Sequence, residues 1–308
     1  MILVVVAVSV LMIQVAWQFR TPPAERFAEL QVYRGAVSSF LHGGSLYDYR
    51  RHNGDVFTYP PAAGLALAWI GALGPNALVV AWSAVTFAAL VVLSVALTRQ
   101  GTGAGESTRR AQVPVCRLAP LMLLFLLCSA PGRSDVEFGQ ISAVVVAMAA
   151  ADLLIVPGHR SGWLLGAAIA IKLTPAVFLP YLWCSGRRRT ALTAAGSAAL
   201  RTAASSLVRP ADSVRYWTHE LIDGTRFVNA TIPGNQSIRA ALERAHTPAT
   251  TACWLVLAAL TVAVATLVGV RLDRTGRRTA ADTSRASQIR RSAPERKIPA
   301  LRSTFAGG

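Results

Sequence analysis

Apolar runs close to the length of a bilayer-spanning helix constrain this sequence more than any other feature. A helix needs about 20 mostly apolar residues to cross a bilayer. Five runs approach that length, at residues 1–19, 76–97, 114–130, 140–156 and 250–270. A weaker sixth run, at 190–208, is rich in the small residues that suit packing between membrane helices. The sequence therefore predicts an all-α polytopic membrane protein with about six full transmembrane helices.

Two further apolar runs are too short or too interrupted to span. Residues 60–74 begin with a pair of prolines, and we expect them to form an interfacial helix. Residues 162–184 contain Pro175, which lacks a backbone donor and breaks a helix. We expect this second run to form a broken re-entrant helical pair or two short spans. Arginine-rich segments favour the cytoplasm, which gives an N-in/C-in topology with outer loops at 20–59, 131–139 and 209–249.

The net charge of +16 does not indicate a nucleic-acid-binding protein. Only 7% of the residues are aromatic, and apolar runs do not build a surface on which bases stack. The arginines instead predict cytoplasmic segments and contact with membrane lipids. We expect a membrane-embedded domain at 1–270 and a basic, disordered cytoplasmic tail at 271–308. The scattered cysteines and histidines have no metal-ligand spacing, so we expect no metal.

The first outer loop carries three candidate carboxylates, Glu29, Asp48 and Asp55. A loop this long in a compact protein is usually functional, and carboxylates are common general bases. The alternative is that these groups are solvated or paired with nearby arginines. The same loop contains Tyr33, Tyr47 and Tyr59, which are candidates for contact with a substrate.

A lysine and several amides form the second group of candidates. Lys172 lies in the broken helix, where a charge within the membrane usually marks function. Snorkelling, or pairing with Asp135 or Glu137, explains Lys172 equally well, and those two acids can also cap a helix. Amides and guanidinium groups suit sugar hydroxyls and phosphate oxygens. The candidates of this kind, together with the aromatic Trp217, are Gln140, Arg226, Asn235, Gln236 and Arg239.

Taken in chain order, these segments resemble glycosyltransferase family 87, the polyprenyl-phosphate-mannose-dependent mannosyltransferases of the superfamily C fold. The order and spacing of the matching pieces carry the resemblance over roughly Glu29 to Val270. These pieces are residues 29–33, 43–48, 57–61, 139–140, 152–154, 168–175, 213, 216–217 and 235–238.

The resemblance implies a multi-pass plasma-membrane enzyme that uses no metal or other cofactor. Such an enzyme moves mannose from polyprenyl-phosphate-mannose to an envelope glycolipid or glycan on the outer face, usually in α-1,2 linkage and with inversion. It implies that Glu29 is the general base, with Asp48 and Asp55 nearby, and that Lys172, Arg226 and Arg239 bind the donor phosphate. The substrate contacts it implies are Tyr33, Tyr47, Tyr59, Gln140, Trp217, Asn235 and Gln236.

This chain departs from the family pattern at two places. The family has aspartate where this chain has Glu29, and its members continue through further spans beyond the position of Val270. We therefore expect a chain truncated at its C terminus and inactive if those spans are required. Two other interpretations stay open, a membrane transporter or flippase and a non-catalytic membrane protein, because a broken helix with a lysine at mid-membrane depth also occurs in carriers.

Overall fold

The structure, a computed structural model, describes residues 2–22, 25–102, 115–221, 235 and 237–292. The described chain is helical, and its only β-feature is an isolated bridge between Arg50 and Val56. Thirteen α-helices are present in these ranges: α1 Ile2–Gln18, α2 Ala28–Leu41, α3 Pro61–Ala66, α4 Pro75–Thr102, α5 Val115–Cys128, α6 Ala130–Phe138, α7 Ser142–Leu154, α8 Trp163–Ile171, α9 Phe178–Cys184, α10 Arg188–Val208, α11 Pro210–Arg215, α12 Ile238–Arg244 and α13 Thr250–Ser292. The prediction of an all-α protein is confirmed.

Two of these helices are long and apolar enough to cross a membrane. They are Pro75–Arg99 within α4 and Thr250–Gly276 within α13. The helices α1, α5 and α7 are apolar over shorter lengths. These features agree with a helical membrane protein, whereas six full spans and the N-in/C-in topology stay predictions.

The interruption in the run 162–184 lies where the sequence predicts it. Helix α8 ends at Ile171, and Lys172 has extended backbone with φ −145° and ψ 122°. A short 3₁₀ turn at Thr174–Val177 then leads into α9. Because Pro175 cannot donate a backbone hydrogen bond, the α-helix does not continue through this segment.

Three segments contain more helix than the sequence predicts. Helix α2 forms within the predicted first outer loop. It is helical there because its apolar residues recur at helical spacing and are buried along one face. Helix α6 occupies the second outer loop, 131–139. Helix α13 continues to Ser292, whereas we expected a disordered tail from Arg271. The alanine, arginine and glutamine residues of this segment favour helix.

The largest buried cluster packs helix α2 and the loop that follows it with the apolar helices α4, α7 and α8. Tyr33 and Val37 of α2 pack in one core with Trp82 of α4, Val145 of α7 and Ala168 of α8. Burying these large side chains stabilises the packing of the outer segment on the helices. As a result, the residues around Glu29 and those around Lys172 lie in the same part of the protein.

A second packing feature holds the broken helix in place. The Asp152 carboxylate of α7 is buried and accepts hydrogen bonds from the backbone N–H groups of Gly162, at 2.6 Å, and Leu165, at 3.2 Å. These N–H groups lie at the start of α8, where backbone N–H groups have no acceptor within the helix. Gly166 of α8 faces the backbone of Ala194 in α10. Helix α8 is therefore fixed on two sides before the chain reaches Lys172.

Candidate active site

The structure brings Glu29 and Lys172 together with three polar neighbours, and we call Glu29, Tyr33, Tyr59, Ser142 and Lys172 the Glu29–Lys172 cluster. The Lys172 Nζ donates a hydrogen bond to the Ser142 Oγ at 2.9 Å and lies 5.3 Å from the centre of the Tyr59 ring. The hydroxyl groups of Tyr33 and Tyr59 are 3.1 Å apart. Glu29 interacts electrostatically with Lys172 and with Tyr33. Acid, phenol and ammonium groups thus share one site.

The positions of Glu29 and Tyr33 follow from helix α2. Glu29 lies in the first turn, where a carboxylate is favoured by the helix dipole. Tyr33 is one turn later on the same face. Its ring is buried and packs edge-on against Tyr59 at 5.5 Å and Phe57 at 6.3 Å. Helix geometry and aromatic packing therefore direct both side chains to the cluster.

Gly139 allows the start of α7 to approach α2. It ends α6 in the left-handed conformation with φ 66°. A Cβ atom at this position would lie 2.8 Å from the Cβ of Leu30 and 3.2 Å from that of Phe27. Only glycine avoids both the backbone strain and this contact. Three residues later, Ser142 opens α7 and contacts Lys172.

The surroundings of Glu29 change its acidity. Burial raises the pKa of Glu29 above its ordinary value, and the charge of Asp55 acts in the same direction. The charges of Lys172 and Arg51 and the interaction with Tyr33 oppose this rise. Burial also raises the pKa of Tyr59. A carboxylate with a raised pKa takes up a proton more readily than an exposed one.

Asp135 both caps a helix and faces the lysine. Its carboxylate accepts a hydrogen bond from the backbone N–H of Ala143 in the first turn of α7, and it interacts electrostatically with Lys172. Burial raises the pKa of Asp135 to about 6, against the lowering effects of the Ala143 N–H and of Lys172. Asp135 therefore interacts with the first turn of α7 and acts on Lys172 through its charge. Glu137 is exposed on the same helix.

The other candidate carboxylates lie outside the cluster. Asp48 is exposed and pairs with Arg215 at 2.5 Å. Asp55 is also exposed and lies 3.6 Å from Arg51, although its charge still acts on Glu29. Asp55 therefore has the nearby arginine partner that the sequence offered as an alternative, whereas the partner of Asp48 is the distant Arg215.

The candidates of the predicted outer loop 209–249 have mainly local partners. Arg239 pairs with Glu243 at 2.9 Å, and its guanidinium lies 5.8 Å from the Trp254 ring. The Asn235 side chain accepts a hydrogen bond from the Ser237 N–H at 3.1 Å. The structure does not bring these two residues into the Glu29–Lys172 cluster. Arg226 and Gln236 lie outside the described residues.

Of the three remaining candidates, Tyr47 contacts the cluster. Tyr47 is buried, and its hydroxyl donates to the backbone carbonyl of Tyr59 at 3.0 Å. Trp217 is partly exposed and packs edge-on against Tyr216 at 5.1 Å. Gln140 is half-buried at the junction of α6 and α7.

Sequence reasoning missed three residues that shape this region. Ser142 binds Lys172, Asp212 binds the segment around Ser45, and Arg215 binds Asp48. Ser142 opens a helix two residues after Gln140, which is the only local signal for it. Nothing in the sequence near Asp212 or Arg215 indicates their partners in the first outer loop.

The site combines groups that suit a hydroxyl and an anion. A half-buried carboxylate can accept a proton from a hydroxyl group, and an ammonium group can bind a phosphate oxygen. In the part of the chain that the structure describes, no three or more His, Cys, Asp and Glu side chains are grouped so as to hold a metal ion.

Comparison with known proteins places most of the chain in one family. The family model described as glycosyltransferase family 87 matches residues 57–289. This match includes Lys172, begins after Glu29 and continues beyond Val270, where the resemblance in the sequence was expected to end. No solved structure matches the chain.

Curated relatives come from mycobacteria. A polyprenol-phosphate-mannose-dependent alpha-(1-2)-phosphatidylinositol mannoside mannosyltransferase of Mycolicibacterium smegmatis is 37% identical over 237 residues, which are 70% of this chain and 52% of the relative. The protein of that description from Mycobacterium tuberculosis is 32% identical over 251 residues, 75% of this chain and 56% of the relative. A pentamannoside mannosyltransferase of Mycobacterium tuberculosis is 30% identical over 272 residues, 86% of this chain and 61% of the relative. The chain spans about half the length of the first two relatives.

Proposed function

This chain belongs to glycosyltransferase family 87, and from that membership we propose that it transfers mannose from a polyprenyl-phosphate carrier to a glycolipid. The printed descriptions of its relatives specify a polyprenol-phosphate-mannose donor, a phosphatidylinositol mannoside acceptor and an alpha-(1-2) linkage. The proposal takes the same donor and acceptor classes for this chain. It places the reaction at the outer face of a plasma membrane that the chain crosses several times.

The proximity of Glu29 and Lys172 is the observation that carries this proposal. Sugar transfer from a lipid phosphate requires a base for the acceptor hydroxyl and a cation for the departing phosphate. The two residues are far apart in the sequence, and the buried cluster that α2 shares with α4, α7 and α8 brings them close enough to interact electrostatically. This arrangement supports a reaction that uses both groups in one step.

In the proposed reaction, the acceptor oxygen attacks the anomeric carbon of mannose while its proton passes to the Glu29 carboxylate. The bond between the anomeric carbon and the phosphate oxygen breaks, and its electron pair stays on the phosphate. The Lys172 ammonium stabilises the negative charge of the departing polyprenyl phosphate. A single displacement of this kind inverts the configuration at the anomeric carbon.

The neighbours of the two groups support these roles. Ser142 binds the Lys172 Nζ and limits the positions that this flexible side chain can take. Tyr33 and Tyr59 lie between the acid and the lysine and offer hydroxyl groups to the sugar. The proposed reaction needs no metal, because the ammonium group takes the role that a metal ion has in many reactions of nucleotide-linked donors.

Glu29 is a better candidate for the base than the other two carboxylates. Asp48 is committed to Arg215, and Asp55 lies near Arg51 on the exposed side of the site. The proposal therefore assigns Asp55 an indirect effect through the acidity of Glu29. It assigns the donor phosphate to Lys172 and not to Arg239, which is paired with Glu243.

Transfer assays on membranes containing the chain test the proposal. Labelled polyprenyl-phosphate-mannose is supplied with endogenous glycolipids, and transfer is compared among wild type, Glu29→Gln and Glu25→Gln. Glu25 is the matched control because it is an exposed carboxylate just before α2. We expect transfer by wild type and Glu25→Gln, and a loss of about 100-fold or more in Glu29→Gln, because general bases contribute at least about that factor. Full activity in Glu29→Gln, or no transfer by wild type, would contradict the proposal.

A further inference from the structure

A buried carboxylate on α11 holds the first outer loop. Asp212 is almost fully buried, and its Oδ1 accepts a hydrogen bond from the Ser45 Oγ at 2.6 Å. Its Oδ2 accepts the backbone N–H of Leu46 at 3.4 Å and lies 3.9 Å from the Arg209 Nε. A buried carboxylate is costly unless it is paired and hydrogen-bonded. All of these partners are therefore needed to keep Asp212 in this position.

Arg209 extends the attachment by one residue. Its guanidinium donates a hydrogen bond to the Gly44 carbonyl oxygen and lies 4.7 Å from the Phe40 ring centre. Together, Arg209 and Asp212 bind three consecutive residues of the loop, Gly44, Ser45 and Leu46. Helix α11 thereby fixes the loop just before Tyr47.

Tyr47 connects this attachment to the Glu29–Lys172 cluster. Its backbone N–H donates to the Ser45 Oγ at 3.2 Å, so the serine hydroxyl lies between Asp212 and Tyr47. Its phenol donates to the Tyr59 carbonyl oxygen at 3.0 Å. The Tyr59 hydroxyl in turn meets that of Tyr33, and the Tyr59 ring lies beneath the Lys172 Nζ. A continuous set of contacts therefore runs from α11 to the lysine.

We propose that Asp212 is a positioning residue for the transfer reaction, acting through Ser45, Tyr47 and Tyr59 on Lys172 and Tyr33. This inference rests on the proposed function. Asp212 is buried against the loop and does not face the cluster directly, so it acts without touching the sugar. A displacement of about 1 Å at a reacting group can lower a rate by about 100-fold. Loosening the loop is therefore expected to lower kcat more than it changes the KM for the acceptor.

The test compares Asp212→Ala, Asp212→Asn and Ser45→Ala with Asp152→Asn as a matched control. Asp152 is equally buried and also accepts backbone hydrogen bonds, but it binds the start of α8 and has no contact with the outer loop. The measurements are kcat and KM for transfer, the unfolding midpoint in detergent, and hydrogen exchange of the peptides that cover residues 44–48 and 57–60.

We expect Asp212→Ala to lower kcat by about 10- to 100-fold, within the range for a misplaced reacting group. Asp212→Asn should lose less, because its side-chain oxygen still accepts a hydrogen bond from Ser45. The double variant Asp212→Ala/Ser45→Ala should lose less than the product of the two single losses, since the two changes share the Ser45–Asp212 hydrogen bond. Exchange should rise in the two outer-loop peptides. Asp152→Asn should lower the unfolding midpoint without a selective rise in those peptides.

Two results would overturn the inference. One is an Asp212→Ala protein whose exchange in 44–48 and 57–60 equals that of wild type, since the loop would then not depend on α11. The other is an Asp212→Ala protein whose kcat equals that of wild type although exchange rises in 44–48 and 57–60, since the order of the loop would then not matter for transfer. If wild type transfers no mannose, the proposed function fails, and the exchange measurement separately decides whether Asp212 orders the loop.

Discussion

Replacing Asp135 with asparagine should make the stability of the protein less sensitive to pH. Asp135 is buried, and its pKa rises from the usual 3.8 to about 6. At about 1.4 kcal/mol for each pH unit between these values, ionisation of Asp135 costs the folded protein about 3 kcal/mol. Between about pH 4 and pH 6, the folded protein retains a proton that the unfolded chain has released. The free energy of unfolding contributed by this group therefore falls as the pH rises through that interval and then levels off.

Asparagine keeps the shape and the acceptor oxygen that binds the Ala143 N–H but cannot ionise. We expect Asp135→Asn and wild type to be similarly stable near pH 4, and the variant to be more stable by up to about 3 kcal/mol near pH 7. Denaturant unfolding in detergent at a series of pH values measures the difference, with the exposed neighbour Glu137→Gln as the control. A difference between Asp135→Asn and wild type that is constant from pH 4 to pH 7 would refute this account of the buried carboxylate.

Three further predictions concern helix packing, capping and the base. Gly166→Ala should lower the unfolding midpoint, because its Cβ meets the Ala194 carbonyl oxygen, whereas Gly196→Ala on the open side of α10 should not lower it. Asp152→Ala should cost about 1–3 kcal/mol of unfolding free energy, since it leaves buried N–H groups of α8 unpaired; unchanged stability would show that the cap is unimportant. The kcat/KM of transfer should fall as the pH drops through a pKa above the usual 4.5 of glutamate, and Asp55→Asn should move this limb to lower pH by removing a neighbouring negative charge. If Asp55→Asn left the pH dependence unchanged, the titrating group would not be Glu29.

The features that the sequence predicted well depend on local chemistry. Apolar runs indicate helices directly. Pro175 interrupts the helix after α8 through its missing N–H group, whatever the helix packs against. Helix α2 was harder to predict, because it is short and polar on one side, and only tertiary packing reveals which face is buried. Local spacing alone could not predict that Glu29 lies near Lys172; only the resemblance to the family assigned the two residues to one reaction.

The contacts that escaped prediction join residues far apart in the chain. Asp212 binds Ser45, and these residues are separated by 167 positions. A carboxylate after Pro210 looks like an ordinary helix start, and a serine after two glycines looks like an ordinary turn. Their pairing follows only from the packing of α11 against the outer loop. Arg215 was likewise not recognised, because its partner Asp48 belongs to the same distant loop.

Donor binding by two variants tests most directly the claim that Glu29 and Lys172 serve different halves of one reaction. Binding of labelled polyprenyl-phosphate-mannose is measured for wild type, Glu29→Gln and Lys172→Ala in detergent or nanodiscs. The account predicts that Glu29→Gln binds the donor as tightly as wild type but does not transfer mannose, whereas Lys172→Ala binds the donor at least 10-fold more weakly, a loss of about 1.4 kcal/mol or more. Donor affinity that is unchanged in Lys172→Ala, or lost in Glu29→Gln, would contradict it.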